Sequence, residues 1–302
     1  MERLHTLLKL SEAGSLIRAA NNDIGQQSRL SHHLRELSEF FGVDLTERSG
    51  KTIKLTPAGE ALVRVARQQF SALQAFRNEA ANAVPTFQIA AGDSVTQWLL
   101  VPAIARMRRP GHQLRFQLFN LRTKDIVDRL KDGRVEFGIL RDDALQEPLL
   151  RKGICEQRYA IVVPQRLVPT RGLLTLKAAL LICPHAAISG DGQLMERLRD
   201  LAQTLGGKFI PELACDSIGQ CVAAVETGAF AAVLPVQAWK ATSQQNCIVV
   251  EDEALNVLSR RLVMAWHPRT LEVKGQSARK VQQGLLYALT QASEAAGAPK
   301  CG

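Results

Sequence analysis

Gln27-Ser28-Arg29-Leu30-Ser31-His32-His33-Leu34-Arg35-Glu36-Leu37 is the stretch whose reading decides the fold. Leu30, Leu34, Leu37 and Phe41 recur at 4-3-4 spacing, which draws one apolar stripe along a helix. The spacing predicts a helix over about 26–41, ended by Gly42. The opposite face carries Gln27, Ser28, Ser31, His32 and Arg35, with Gln26 and Arg29 beside them. Gln can pair bidentately with adenine, and Arg or His can donate to guanine or phosphate. Upstream, Leu4, Leu7 and Leu8 mark a first helix that Gly14 ends, and Ser15 can cap a second over Leu16–Asn22. Ala19 and Ala20 are small enough for helices to approach closely. Two helices of which the second presents polar residues fit a helix-turn-helix, whose second helix enters the major groove. A merely solvated polar helix face has the same pattern.

Downstream, Leu45–Leu55 alternates around Ser49-Gly50-Lys51 and reads as a hairpin, with Lys51 and Lys54 placed to flank a nucleic-acid backbone. Thr56-Pro57 is a strong helix start, a Thr cap followed by Pro at the first helical position. The helix that follows is expected to run to about Ala83. Leu62, Val65, Gln69, Ala72 and Phe76 form a heptad seam along it, as a helix pair requires. Three units follow: a winged helix-turn-helix over 1–58, a dimerising linker helix over 59–84, and a third unit over 85–302.

From Pro85 on, strand and helix patterns alternate. Strands are expected at Phe87–Ala91, Leu114–Phe119, Phe137–Leu140, Tyr159–Val163, Leu181–Cys183, around Ala214, and at Ala231–Leu234, Ile248–Val250 and Leu262–Trp266. The rhythm argues an α/β class with mainly parallel sheets. Its length argues two lobes with a cleft between them, lobe I over about 85–160 and 266–302 and lobe II over about 161–265. In open α/β sheets ligands bind beyond the carboxyl ends of strands, where helix N-termini point N–H groups outward. That rule selects Ser94 and Thr96, Asn120 and Thr123, and Arg141 from the first lobe, and Ser189, Gly190 and Ser217 from the second. They suit a small polar or anionic effector, although Asp93 at the same mouth would repel an anion. Each is also an ordinary cap or turn residue type.

The chain has 302 residues, 46% apolar and 22% charged, with a formal net charge of +9. The excess suits a polyanionic partner. Residues 1–84, however, hold 11 Lys/Arg against 9 Asp/Glu, and the remaining +7 lies beyond them. Apolar runs are too short to span a bilayer, and the N-terminal residues do not read as a signal peptide. The six cysteines are scattered and read as reduced thiols of a cytoplasmic protein. Cys215 and Cys221 would meet if a strand-to-helix turn brought them together, but no nearby Lys, Arg or His activates either thiol. No phosphate loop, nucleophile elbow, zinc-protease motif or dinucleotide fingerprint occurs, and the six histidines lack metal spacing. No enzyme, metal or cofactor is therefore expected.

Four segments resemble LysR-type transcriptional regulators, in order and at the right spacing. Glu12-Ala13-Gly14-Ser15-Leu16-Ile17-Arg18-Ala19-Ala20 is similar to their E-x-G-S-F-x-x-A-A start. Gln27–Leu37 is similar to Q-[PS]-A-[LV]-S-x-x-I-x-x-L-E, Phe41–Arg48 to L-G-x-x-L-F-x-R, and Lys54–Glu60 to x-L-T-x-A-G. The resemblance implies a winged helix-turn-helix on double-stranded DNA and a homodimer or homotetramer. It also implies a C-terminal domain like periplasmic binding proteins that takes a small-molecule co-inducer. Three positions depart from the pattern: Asp23 stands for Leu, Gln26 for Ser and Thr46 for Phe. Gln26 removes a cap worth about 1 kcal/mol, which Asp23 or Ser28 can replace. The other reading is a small-molecule-binding or interaction module whose helix-turn-helix serves dimerisation.

Overall fold

The computed structural model describes residues 1–49, 52–81, 84–108, 114–168, 174–189, 192–240 and 246–297. Three helices open the chain: α1 (Glu2–Ala13), α2 (Leu16–Ala19) and α3 (Ile24–Phe41). Leu7, Leu10, Leu16, Leu30, Leu34 and Leu37 interlock in their core, so the predicted stripe of α3 is buried at its three leucines, whereas Phe41, at the last turn, is exposed. Gly14 and Gly42 end α1 and α3 in the left-handed conformation, at φ 69° and 66°. The hairpin β1 (Thr46–Ser49) and β2 (Thr52–Leu55) forms the wing. Thr56 caps α4 (Pro57–Ala80), its Oγ1 accepting from Gly59 N at 3.0 Å. Gly59 is required there, because a Cβ would run into the Leu45 carbonyl oxygen.

Lobe I is built on a five-stranded sheet of order β4-β3-β5-β12-β6, from β3 (Thr86–Ala91), β4 (Arg115–Asn120), β5 (Phe137–Arg141), β6 (Leu150–Gln157) and β12 (Arg260–Trp266). β3 pairs parallel with β4 and β5, whereas β12 runs antiparallel to both β5 and β6. A continuous helical segment packs on it: α5 (Asp93–Val95), a π turn (Thr96–Leu100) and α6 (Val101–Met107). α7 (Thr123–Lys131) and the closing α13 (Gly275–Ala295) also contribute, and α12 (Pro268–Val273) leads into α13.

Lobe II holds an antiparallel sheet β10-β7-β11, from β7 (Tyr159–Pro164), β10 (Ala232–Pro235) and β11 (Cys247–Val250). A parallel pair, β8 (Ala186–Ile188) with β9 (Leu213–Cys215), joins it through a His185–Ala231 bridge. α8 (Leu176–Leu181), α9 (Gly192–Thr204), α10 (Ile218–Glu226) and α11 (Val236–Lys240) complete it.

Three expectations are corrected. The sheets are mixed, because β12 returns antiparallel into lobe I and β7 pairs antiparallel with both neighbours. Residues 260–265 therefore belong to lobe I, since Arg260–Trp266 pair with β6 and Leu262–Ala265 with β5. The strand expected at Leu181–Cys183 does not form: Leu181 ends α8, whose Ala179 and Leu180 fill the lobe II core, and the strand comes at Ala186–Ile188.

Candidate nucleic-acid interface and inter-lobe cleft

The local chemistry of α3 decides what it can present. Asn21 and Asn22 turn the chain with φ 51° and 62°, conformations that Asn tolerates. Asp23 then caps the helix, its Oδ1 accepting from Gln26 N at 3.0 Å. The cap lost at Gln26 is thus restored three residues earlier, and α3 starts at Ile24 instead of Gln26. At 3.6 residues per turn, Ser28, Ser31 and Arg35 share one face within about 60°, with His32 beside them. All four are exposed, as are Gln26 and Arg29. Arg29 lies on the flank of that face and Gln26 about half a turn away from it.

Gln27 is half-buried and lines a cleft of about 400 Å³ with Ile17, Arg48 and Thr52 between α2 and the wing. Arg48 is exposed; in the sequence it is only the closing Arg of the segment Phe41–Arg48, with no contact assigned to it. Lys51 lies outside the described residues.

Charge on α3 is organised by Glu36. Arg3 donates to it twice, Nε to Oε2 at 2.8 Å and Nη2 to Oε1 at 3.0 Å, tying α1 to α3. That bond from Arg3 holds the Glu36 carboxyl below its ordinary range. His32 lies 3.6 Å from the same carboxylate, and Arg35 lies 3.1 Å from His32 Nδ1 and 3.6 Å from Glu39. These exposed contacts leave Arg35 free to exchange its protein partners for a phosphate or a base edge.

Along α4, Val63 and Ala66 face inward and are buried. Val65, Gln69 and Phe76 are exposed, Phe76 by 71%, and Leu73 joins them although the heptad reading missed it. Ala72 is half-buried, while Leu62 packs partly against the N-terminal core. The exposed part of the seam is therefore Val65, Gln69, Leu73 and Phe76.

In the third unit, Asn120 Nδ2 reaches Asp93 Oδ1 at 3.5 Å, which joins the turns after β3 and β4. Ser94 is half-buried beside Asp93, and Thr96 Oγ1 is buried without a hydrogen-bond partner. Arg141 lies 3.6 Å from Asp143, which accepts from Gln193 Nε2 at 3.4 Å across to α9 of lobe II. Ser189 donates to the Cys215 carbonyl at 3.2 Å and to Asp216 at 3.5 Å, and Ser217 caps α10. A Cβ on Gly219 would lie 3.5 Å from Gln97 Oε1, so the start of α10 abuts lobe I. Thr123 makes no side-chain cap, and Gly190 lies outside the described residues. Ser94, Asn120 and Arg141 thus lie at the carboxyl ends of β3, β4 and β5, and Ser189 and Ser217 at those of β8 and β9. Asp143, Asp216 and Gln193 accompany them, and no motif marked those three in advance.

Cys215 and Cys221 do meet: their thiols share a hydrogen bond in the core of lobe II. Burial, followed by the Cys215 thiol, pushes Cys221 up to about 12. A cleft of about 1290 Å³ lies elsewhere, between α4 and lobe I, and is lined by Arg64, Arg67, Lys131, Arg134 and Arg269 with Asp128, Asp132 and Glu272. Among the described residues no helix is long and apolar enough to cross a membrane, and no group of three or more His, Cys, Asp or Glu could hold a metal.

Comparison with known proteins agrees with this layout. Residues 1–60 match the family described as bacterial regulatory helix-turn-helix protein, lysR family, and residues 80–275 match the LysR substrate binding domain. The transcriptional regulator BenM of Acinetobacter baylyi is 29% identical over 159 residues, 50% of this chain and 52% of its own. MetR of Haemophilus influenzae is 28% identical over 170 residues, 52% of this chain and 55% of its own. The chain spans about half the length of the curated relatives it matches. Among solved structures, full-length LysG from Corynebacterium glutamicum with bound effector Arg aligns with a TM-score of 0.67 at 18% identity, covering 96% of this chain and 97% of that one. CbnR complexed with its target DNA aligns at 0.59 and 15% identity, covering 96% and 99%. With both family matches in chain order and the fold shared end to end, the chain belongs to the LysR family.

Proposed function

We propose that the protein is a sequence-specific DNA-binding transcriptional regulator whose α3 enters the major groove, working in the cytoplasm and gated by a small effector between its two lobes. The observation that carries the reading is the division of α3. Leu30, Leu34 and Leu37 lock it to the core, while Ser28, Ser31, His32 and Arg35 are exposed on the other side. A helix used for dimerisation would expose an apolar stripe; α4 does so and this face of α3 does not. Two copies joined along Val65, Gln69, Leu73 and Phe76 would present two α3 helices, which compensates for the +2 charge of residues 1–84.

The effector is assigned as small and polar, carrying a cationic group. Asp93, Asp143 and Asp216 stand beside the expected effector residues, and the cation Arg141 already faces Asp143. LysG, of the same fold, is solved with arginine bound.

A footprint of the full-length protein on DNA upstream of its own gene tests the main reading. Protection of a defined site should weaken with salt by about 0.9 log unit in affinity per log unit of salt for each phosphate contacted. Arg35→Ala should weaken binding to every sequence if Arg35 meets phosphate, and Gln27→Ala should relax specificity. The absence of a sequence-specific footprint, with or without basic amino acids and related polar compounds, would overturn it.

A further inference from the structure

The early start of α3 places an apolar side chain where the polar reading has none. Ile24 is the first residue of the helix and is 84% exposed. It takes no part in the core that α1, α2 and α3 share. A β-branched residue is also a middling helix former, so local propensity does not call for it. Its position on the helix is specific, however. Residues 24, 28, 31 and 35 follow the 4-3-4 spacing of one face, so Ile24 extends the stripe of Ser28, Ser31 and Arg35 by one turn toward the N-terminus. That end of a recognition helix is the end that meets base edges. The edges of the four bases in the major groove carry hydrogen-bond donors and acceptors and one apolar group, the thymine C5-methyl.

We propose that Ile24 is a specificity-determining residue that reads thymine by packing on its C5-methyl at the tip of α3. The inference rests on the DNA-binding reading and adds a base to what the polar residues recognise. The occupant of this exposed side chain is DNA, because Ile24 is continuous with the polar face that the reading assigns to the groove. A second copy of the chain is the competing occupant.

The test begins by selecting preferred duplexes from a random library with the full-length protein. Each thymine of the selected site is then replaced singly by uracil, which removes the methyl and keeps the pairing. Affinities are measured for the parent, Ile24→Ala and Ile24→Val, with circular dichroism and light scattering of each. At one or two positions per half-site, uracil should weaken the parent about fourfold, the scale of one buried methyl. Ile24→Ala should lose that discrimination, Ile24→Val should keep most of it, and the salt dependence should stay unchanged, since no charge is altered. Three outcomes overturn the proposal alone: equal affinity for thymine and uracil at every position, undiminished discrimination by Ile24→Ala, or a change of oligomeric mass in Ile24→Ala. Failure to select any sequence overturns the DNA-binding reading together with it.

Discussion

Arg67 should hold the helix-turn-helix unit and lobe I in one arrangement, and its removal should be measurable as a loss of coupling between them. The residue lies midway along α4 with a side chain only 9% exposed. Its Nη1 donates to Asp132 Oδ2 at 3.0 Å, just beyond α7, and its Nη2 donates to Ser11 Oγ at 3.2 Å on α1. Glu12 lies 3.9 Å away, and Arg269 reaches Gln68, the next residue on α4, at 2.5 Å. Burial, and then the nearby Arg134, lower the Arg67 pKa, while Asp132 and Glu12 oppose them; guanidinium nonetheless stays charged at neutral pH. Arg67→Met keeps the apolar stem and deletes the charge. The loss is one ion-paired bond of about 1.5–3 kcal/mol and one bond from the same guanidinium to a neutral hydroxyl of about 1–1.5 kcal/mol. Two facts reduce the total. Asp132 keeps Arg134 at 2.6 Å, so no carboxylate is orphaned, and the cost of desolvating Arg67 is relieved. The net expectation is about 2 kcal/mol, or roughly 1 M urea at a slope of about 2 kcal/mol/M. Trp98, Trp239 and Trp266 all lie beyond α4, so their fluorescence reports the two lobes and far-UV circular dichroism reports the whole chain. The substitution should lower the midpoint and separate the two transitions, and adding Asp132→Asn should cost less than the sum of the single effects. A midpoint within about 0.3 M of the parent, with coincident transitions and additive effects, would refute the argument.

Other outcomes follow from single contacts. Asp23→Ala should cost about 1 kcal/mol at the start of α3 and speed hydrogen exchange of the Gln26 amide, whereas Asp23→Asn should leave both near the parent; equal protection in Asp23→Ala would contradict the cap. Phe76→Glu should halve the mass seen by light scattering if α4 pairs through its exposed seam, and an unchanged mass would remove Phe76 from that interface. His185 is buried with Nε2 2.8 Å from the Ala179 carbonyl, and burial lowers its pKa below the ordinary 6.5. The unfolded chain therefore takes up this proton more readily, so stability is full above pH 6.5 and declines as pH falls toward the folded pKa. Urea midpoints of His185→Gln should show a flatter pH dependence in that acidic window; an identical slope would show that other groups carry it.

How much was legible differs by element, for physical reasons. The core face of α3 and the start of α4 were readable because periodicity and capping act within a few residues of chain: Leu30, Leu34 and Leu37 are buried and Thr56 caps as expected. The true start of α3 was not, since it depended on two Asn residues accepting positive φ before Asp23 could cap. Leu181 ends α8 instead of opening a strand, because a short apolar run reads alike as a buried helix or a strand until its neighbours are placed. Strand order put Ser94, Asn120, Arg141, Ser189 and Ser217 at strand ends, but Asp143, Asp216 and Gln193 join Arg141 and Ser189 through contacts between segments 27 and 50 residues apart.

The sequence by itself determined the winged helix-turn-helix, the long α4 and the α/β rhythm beyond Pro85, because each rests on local spacing, caps and turn residues. Only the tertiary structure decided that β12 returns antiparallel to lobe I, that Cys215 meets Cys221, that Arg67 bridges α1 and lobe I, and that Ile24 stands bare at the tip of α3. Those depend on which distant segments share a surface, and exposure or contact between distant residues has no period along the chain.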